Sequence, residues 1–81
     1  MKFNERQRVI VDTDKHPVLK KGDTGTIVHV YQTRKDTYEV EFVYGRFKDN
    51  NKTFPLKSSE IIPKWKIRYI IYPPSDWMNS Q

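Results

Sequence analysis

The tetrapeptide Gly22-Asp23-Thr24-Gly25, running straight into Thr26-Ile27-Val28-His29-Val30-Tyr31, constrains the fold more than any other stretch. Its two glycines bracket a polar turn and supply backbone conformations that a Cβ forbids. The β-branched and aromatic residues behind it favour an extended chain. A sharp turn that becomes a strand at once is what a small all-β barrel needs at its corner.

The flanking sequence supports further strands. Arg8-Val9-Ile10-Val11 is a short β-branched run, and Asp12 to Pro17 reads as a loop that Val18 and Leu19 pin to the barrel. Apolar residues of the second strand, about Thr26 to Tyr31, fall on both faces, so its register is not readable from pattern. Thr37 to Phe42 alternates cleanly, with Tyr38, Val40 and Phe42 facing a core and Glu39 and Glu41 facing water. Arg46-Phe47-Lys48 and Lys52-Thr53-Phe54 flank the turn residues Asp49-Asn50-Asn51 and read as a second hairpin, with Pro55 marking a strand end or an edge. Lys57 to Glu60 suits a single helical turn capped by Ser58, ahead of a short closing strand Ile61-Ile62. Residues 1–6 are polar and are expected to fray.

Lys64 to Tyr72 alternates again. Trp65, Ile67, Tyr69 and Ile71 share one face, and Lys64, Lys66 and Arg68 share the other with Ile70. A sixth, C-terminal strand is therefore expected, stopped by Pro73-Pro74. Four large apolar side chains are costly in water, so burial of their face against the barrel or a second copy of the chain is the favoured expectation.

At 81 residues the chain has room for one domain. Residues 1–63 are expected to form the barrel, and residues 64–81 a basic, aromatic extension of the same domain. With no cysteine there is no disulfide and no thiolate chemistry. Met1 to Arg6 has no apolar run behind its charges, and the longest apolar stretch, Tyr69 to Tyr72, is too short to span a bilayer. A cytoplasmic location without membrane attachment is expected. The net charge of +5 is concentrated between Arg46 and Arg68, where seven basic residues face only Asp49 and Glu60. That bias reads either as an ordinary charged, solvated surface or as attraction to something acidic: nucleic acid, an acidic protein or an anionic membrane surface.

Catalytic machinery is hard to assemble from these residues. His16 and His29 lack the convergent ligands of a metal site and read as structural or surface residues. Ser58 and Ser59 lack a nucleophile-elbow context. The glycine turn is too short for a phosphate loop and leads into a strand, not a helix. No enzyme activity and no cofactor are expected.

Gly22-Asp23-Thr24-Gly25-Thr26-Ile27-Val28, Tyr38-Glu39-Val40-Glu41-Phe42 and the turn into Ile61-Ile62 together resemble SH3-like barrels. The Gly-Asp-x-Gly-Thr-Ile-Val segment is similar to the short KOW-type motif of some ribosomal and transcription-factor barrels. From Leu19 onward the same segments more closely resemble a family of small uncharacterised bacterial barrel proteins. The likeness runs from about Arg8 to Pro63. It implies an SH3-like barrel of about five strands, and such folds host many unrelated partners. The first functional expectation is a non-enzymatic protein-interaction module, of an antitoxin, immunity or complex-accessory kind. It would bind a protein partner or a second copy through Trp65, Ile67, Tyr69 and Ile71, pairing an open edge or the added strand. The second is a nucleic-acid-binding barrel using Arg46, Lys48, Lys64, Lys66 and Arg68.

Overall fold

A computed structural model describes residues 3–66. Its strands are β1 (Arg8–Val11), β2 (Thr24–Val30), β3 (Thr37–Phe42), β4 (Lys52–Lys57) and β5 (Ile61–Pro63), all antiparallel in one sheet ordered β4-β3-β2-β1-β5. The all-β expectation holds. The inward residues of the two edge strands, Leu56 and Ile61, belong to the same core as Val9, Ile27, Val40 and Phe42, so the sheet curls around a single interior.

The register of β2, unreadable from its pattern, is set by a bulge. Ile27 pairs with Val40, but His29 pairs with Glu39 and Val30 with Tyr38, so Val28 is the extra residue. One inserted residue reverses the facing of everything beyond it. Ile27 and Val30 therefore both point inward, while Val28 is left exposed. β3 alternates as expected: Tyr38, Val40 and Phe42 are buried, and Glu39 and Glu41 lie half-buried on the outer face.

Gly22 and Gly25 serve different ends. Gly22 has φ +100 in open space, as a turn glycine should. Gly25 lies inside β2, opposite Val9, with no positive φ; a Cβ there would sit 2.5 Å from Val40 Cγ1 and 2.8 Å from the Phe42 ring. Its requirement is close packing of strand on core, not a left-handed backbone.

Four local expectations are corrected. The N-terminal segment is not frayed from Phe3 onward: Phe3 is buried edge-on against Tyr38, and its amide donates to the Tyr38 hydroxyl at 3.2 Å. Gly45–Phe47 is a 3₁₀ turn, not a strand. Gly45, at φ +59, turns the chain, and Phe47 drops onto Phe42 at 5.6 Å between centroids; burial outweighs the extended preference of the segment. The Ser58–Glu60 turn is present, but its cap is the Glu60 carboxylate, which accepts the Lys57 amide at 2.8 Å; Ser58 makes no cap bond. Lys64–Lys66 is a 3₁₀ turn, so the expected strand from Lys64 does not begin there, and residues 67–72 of that strand lie outside the described residues. Of the loop anchors, Leu19 is buried and Val18 is exposed.

Candidate interaction surface

The large loop between β1 and β2 and the loop after β3 are held together by one residue pair. Asp23 Oδ2 accepts the Lys20 amide at 2.8 Å and Arg46 Nη2 at 2.9 Å; Arg46 Nη2 also donates to the Val18 carbonyl at 2.7 Å. The guanidinium lies 4.5 Å from the Phe47 ring centroid. Arg46 is therefore engaged inside the fold, whatever else it contacts. Asp23→Ala leaves the Lys20 amide and the guanidinium without their acceptor, and we expect it to cost about 1–2 kcal/mol. Arg46→Gln, at a more exposed group, should cost about half as much. Urea unfolding of the two variants checks the order, and an Asp23→Ala midpoint equal to wild type would remove the latch.

His16 has a comparable structural task. Its Nδ1 accepts the amides of Val18 and Leu19, each at 3.0 Å, and its ring meets Phe54 edge-on. His29 stacks edge-on against Tyr31 at 4.8 Å. Among the described residues no three metal-ligating side chains converge, and no helix is long and apolar enough to cross a membrane.

A cleft of about 620 Å³ opens between the N-terminal segment and the β2–β3 connection, lined in part by Phe3, Val30, Tyr31, Lys35 and Tyr38. Beside it the Tyr31 hydroxyl donates to Glu39 Oε1 at 2.5 Å, and Arg34 lies over the Tyr31 ring at 5.0 Å. That hydrogen bond, then desolvation and the nearby carboxylate charge, raise the Tyr31 pKa above its ordinary 10.0, against a smaller opposing effect of Arg34. A tyrosine so held stays protonated at neutral pH and is no general base. The protonated form is favoured in the folded state, so its contribution is complete below pH 10 and is lost as pH rises through the raised folded value. Alkaline titration by ultraviolet absorbance should show a late-ionising component that Tyr31→Phe removes. Identical titration curves would refute the assignment.

The two sheet edges are poorly suited to strand addition. Opposed residues in an antiparallel ladder alternate between pairs that exchange hydrogen bonds and pairs that point away. Ser58 donates to the Asp36 carbonyl, so by alternation Thr53, Pro55 and Lys57 point their backbone groups outward from β4. Pro55 has no N–H, and the Lys57 amide is taken by Glu60. Asp12 donates to the Glu60 carbonyl, so Ile61 and Pro63 face outward from β5, and Pro63 again lacks a donor. A proline at an outward position blunts each edge. A partner pairing with either edge along the described strands would find few donors.

Side chains offer more. Trp65 is 60% exposed, so within the described chain the barrel does not cover it, and of the two expected covers for its face only a second copy is left open there. It sits between exposed Lys64 and half-buried Lys66 on the 3₁₀ turn that follows β5. Lys48 is exposed at the end of the Gly45–Phe47 turn. Ile67, Arg68, Tyr69 and Ile71, the other residues expected to bind, lie outside the described residues. The structure adds two residues that pattern does not single out. Tyr44 is 40% exposed, and the Arg8 guanidinium lies 4.9 Å from its ring centroid. These two residues are distant in sequence and meet only through the sheet, so no local signal reports them.

A family model described as Domain of unknown function (DUF4926) matches residues 6–46, from the lead into β1 to the latch arginine. No curated protein and no solved structure matches the chain.

Proposed function

The chain belongs to the DUF4926 family, and from that premise we propose that it is a non-enzymatic protein-interaction module built on an SH3-like barrel. The observation that carries the reading is Trp65, an exposed tryptophan immediately after an edge strand whose backbone is blunted. Large aromatic side chains are favoured anchors of protein interfaces because they bury much area with few rotatable bonds. The strand order, the 3₁₀ turn before β5 and the core shared by both edges support the SH3-like reading. The family match ends before Trp65, so the scaffold and the proposed anchor belong to different parts of the chain.

Nucleic-acid binding competes for the same basic region, but Arg46, one of its expected contacts, is held by Asp23 and Val18. The test uses the full chain and its Trp65→Ser variant. Trp65 supports no core packing in the described chain, so the variant should keep its stability within about 0.5 kcal/mol. The expected result is a protein from the source cell, or a second copy seen by sedimentation, that binds wild type and is lost with Trp65→Ser. Binding of RNA or DNA that weakens steeply with salt and is insensitive to Trp65 would transfer the function to nucleic acid.

A further inference from the structure

His16 holds the loop between β1 and β2 through a single lone pair. Its Nδ1 accepts the Val18 amide and the Leu19 amide, each at 3.0 Å, so the proton of the neutral ring sits on Nε2. Neither amide has another acceptor among the described residues. Pro17, between the ring and the two amides, has no N–H to offer. The contact is tied to the interior at both ends: Leu19 is buried in the core, and the His16 ring lies edge-on to Phe54 of β4 at 5.1 Å. The Val18 carbonyl in turn accepts Arg46. No carboxylate pairs with His16 among the described residues; the ion pairs there are Lys21 with Asp12 and Arg46 with Asp23. The other charged groups of the loop are Asp14, Lys15 and Lys20; β4 contributes Lys52 and Lys57, and the Gly45–Phe47 turn contributes Arg46.

We propose that His16 is an acid-sensitive catch on this loop: a proton on Nδ1 and the two amide bonds exclude each other, so acidification frees Val18 and Leu19 and uncovers Phe54. Nε2 already carries its proton, so a second one enters at Nδ1, the atom the amides use. An imidazolium is a donor only. It leaves two N–H groups, one of them part-buried, without an acceptor. A charged ring can remain beside an aromatic face, but Phe54 returns no acceptor to the amides. Lys15 and Arg46 on the same side of the ledger are cations and give an imidazolium no partner. The neutral ring is the form that holds the loop, so closure is complete above the range in which imidazole titrates and is lost as pH falls through it. Arginine and carboxylate keep their charges through that range. The Arg46–Asp23 pair therefore stays closed, and opening is confined to the segment from His16 to Leu19.

Amide hydrogen exchange of the full chain at about pH 7 and about pH 5, corrected for the intrinsic rate, tests this. Protection of the Leu19 amide should fall at least about fivefold, with a ceiling of about 25-fold set by an open-loop imidazole titrating at roughly 6.5. Val40, fully buried on the central strand β3, should keep its protection, which separates local opening from unfolding. His16→Asn keeps an oxygen that can accept the same amides and does not titrate, so its Leu19 protection should be equal at the two pH values. His29→Gln, at the other histidine of the chain, should leave the wild-type fall in place. Nitrogen–proton correlation spectra of the imidazole need no variant: at neutral pH His16 should carry a proton on Nε2 and none on Nδ1. A proton on Nδ1 at neutral pH, unchanged Leu19 protection on acidification, a fall that persists in His16→Asn, or a fall that His29→Gln abolishes overturns the proposal.

Discussion

Gly25→Val should be among the most damaging substitutions in the glycine turn and strand that open β2, costing on the order of 3 kcal/mol. Gly25→Ala should cost about 1–3 kcal/mol. The reason is contact, not backbone strain. A Cβ at Gly25 would lie 2.5 Å from Val40 Cγ1 and 2.8 Å from Phe42 Cε1, and both neighbours are fully buried. Neither side chain can retreat without displacing others in an interior packed at crystal-like density. Gly22→Ala offers the contrast. Its Cβ would meet open space, and its cost, about 1–2 kcal/mol, comes from the left-handed backbone alone. Urea midpoints of the three variants give the comparison, and a Gly25→Ala midpoint equal to wild type would show that strand and core can part easily. For a domain of this size each lost kcal/mol should lower Tm by about 4–8 °C.

Phe42→Ala should leave the chain largely unfolded at room temperature. Phe42 is fully buried and stands between Phe47 at 5.6 Å and Phe54 at 6.1 Å, so it joins the 3₁₀ turn and the edge strand β4 to the central sheet. Truncation of a buried phenylalanine costs about 3–5 kcal/mol, close to the whole stability of a small domain. Loss of amide dispersion in nuclear magnetic resonance spectra is the expected readout. A well-dispersed, cooperatively unfolding Phe42→Ala would mean that the core tolerates the cavity. The Gly25 and Phe42 sites touch, so their effects should not add. Gly25→Ala combined with Phe42→Leu should be less damaging than the sum of the two single changes, because the smaller side chain makes room for the new methyl.

The clearest strand in the sequence, Thr37 to Phe42, was legible because strict alternation reports a half-buried strand without help from distant residues. The helical turn before Ile61-Ile62 was legible too, and so was an edge position for Pro55, since a missing donor has a local meaning. The β2 register was not, because a bulge at Val28 belongs to the pairing of two strands and leaves no mark on one. The candidate surface divides in the same way. Trp65 and Lys64 stood out by composition, though alternation wrongly predicted a strand there.

The sequence by itself determined the all-β class, the inward face of β3, the lack of disulfide chemistry and the basic bias of the second half. Tertiary structure decided that Arg46 is a latch on Asp23, that Gly25 is required for packing, that both edges are blunted, and that Arg8 lies over Tyr44. Periodicity and composition are properties of neighbours along the chain. A salt bridge between two loops, a Cβ clash across a core and a cation–aromatic contact between β1 and the segment after β3 depend on distances that only the curled sheet sets.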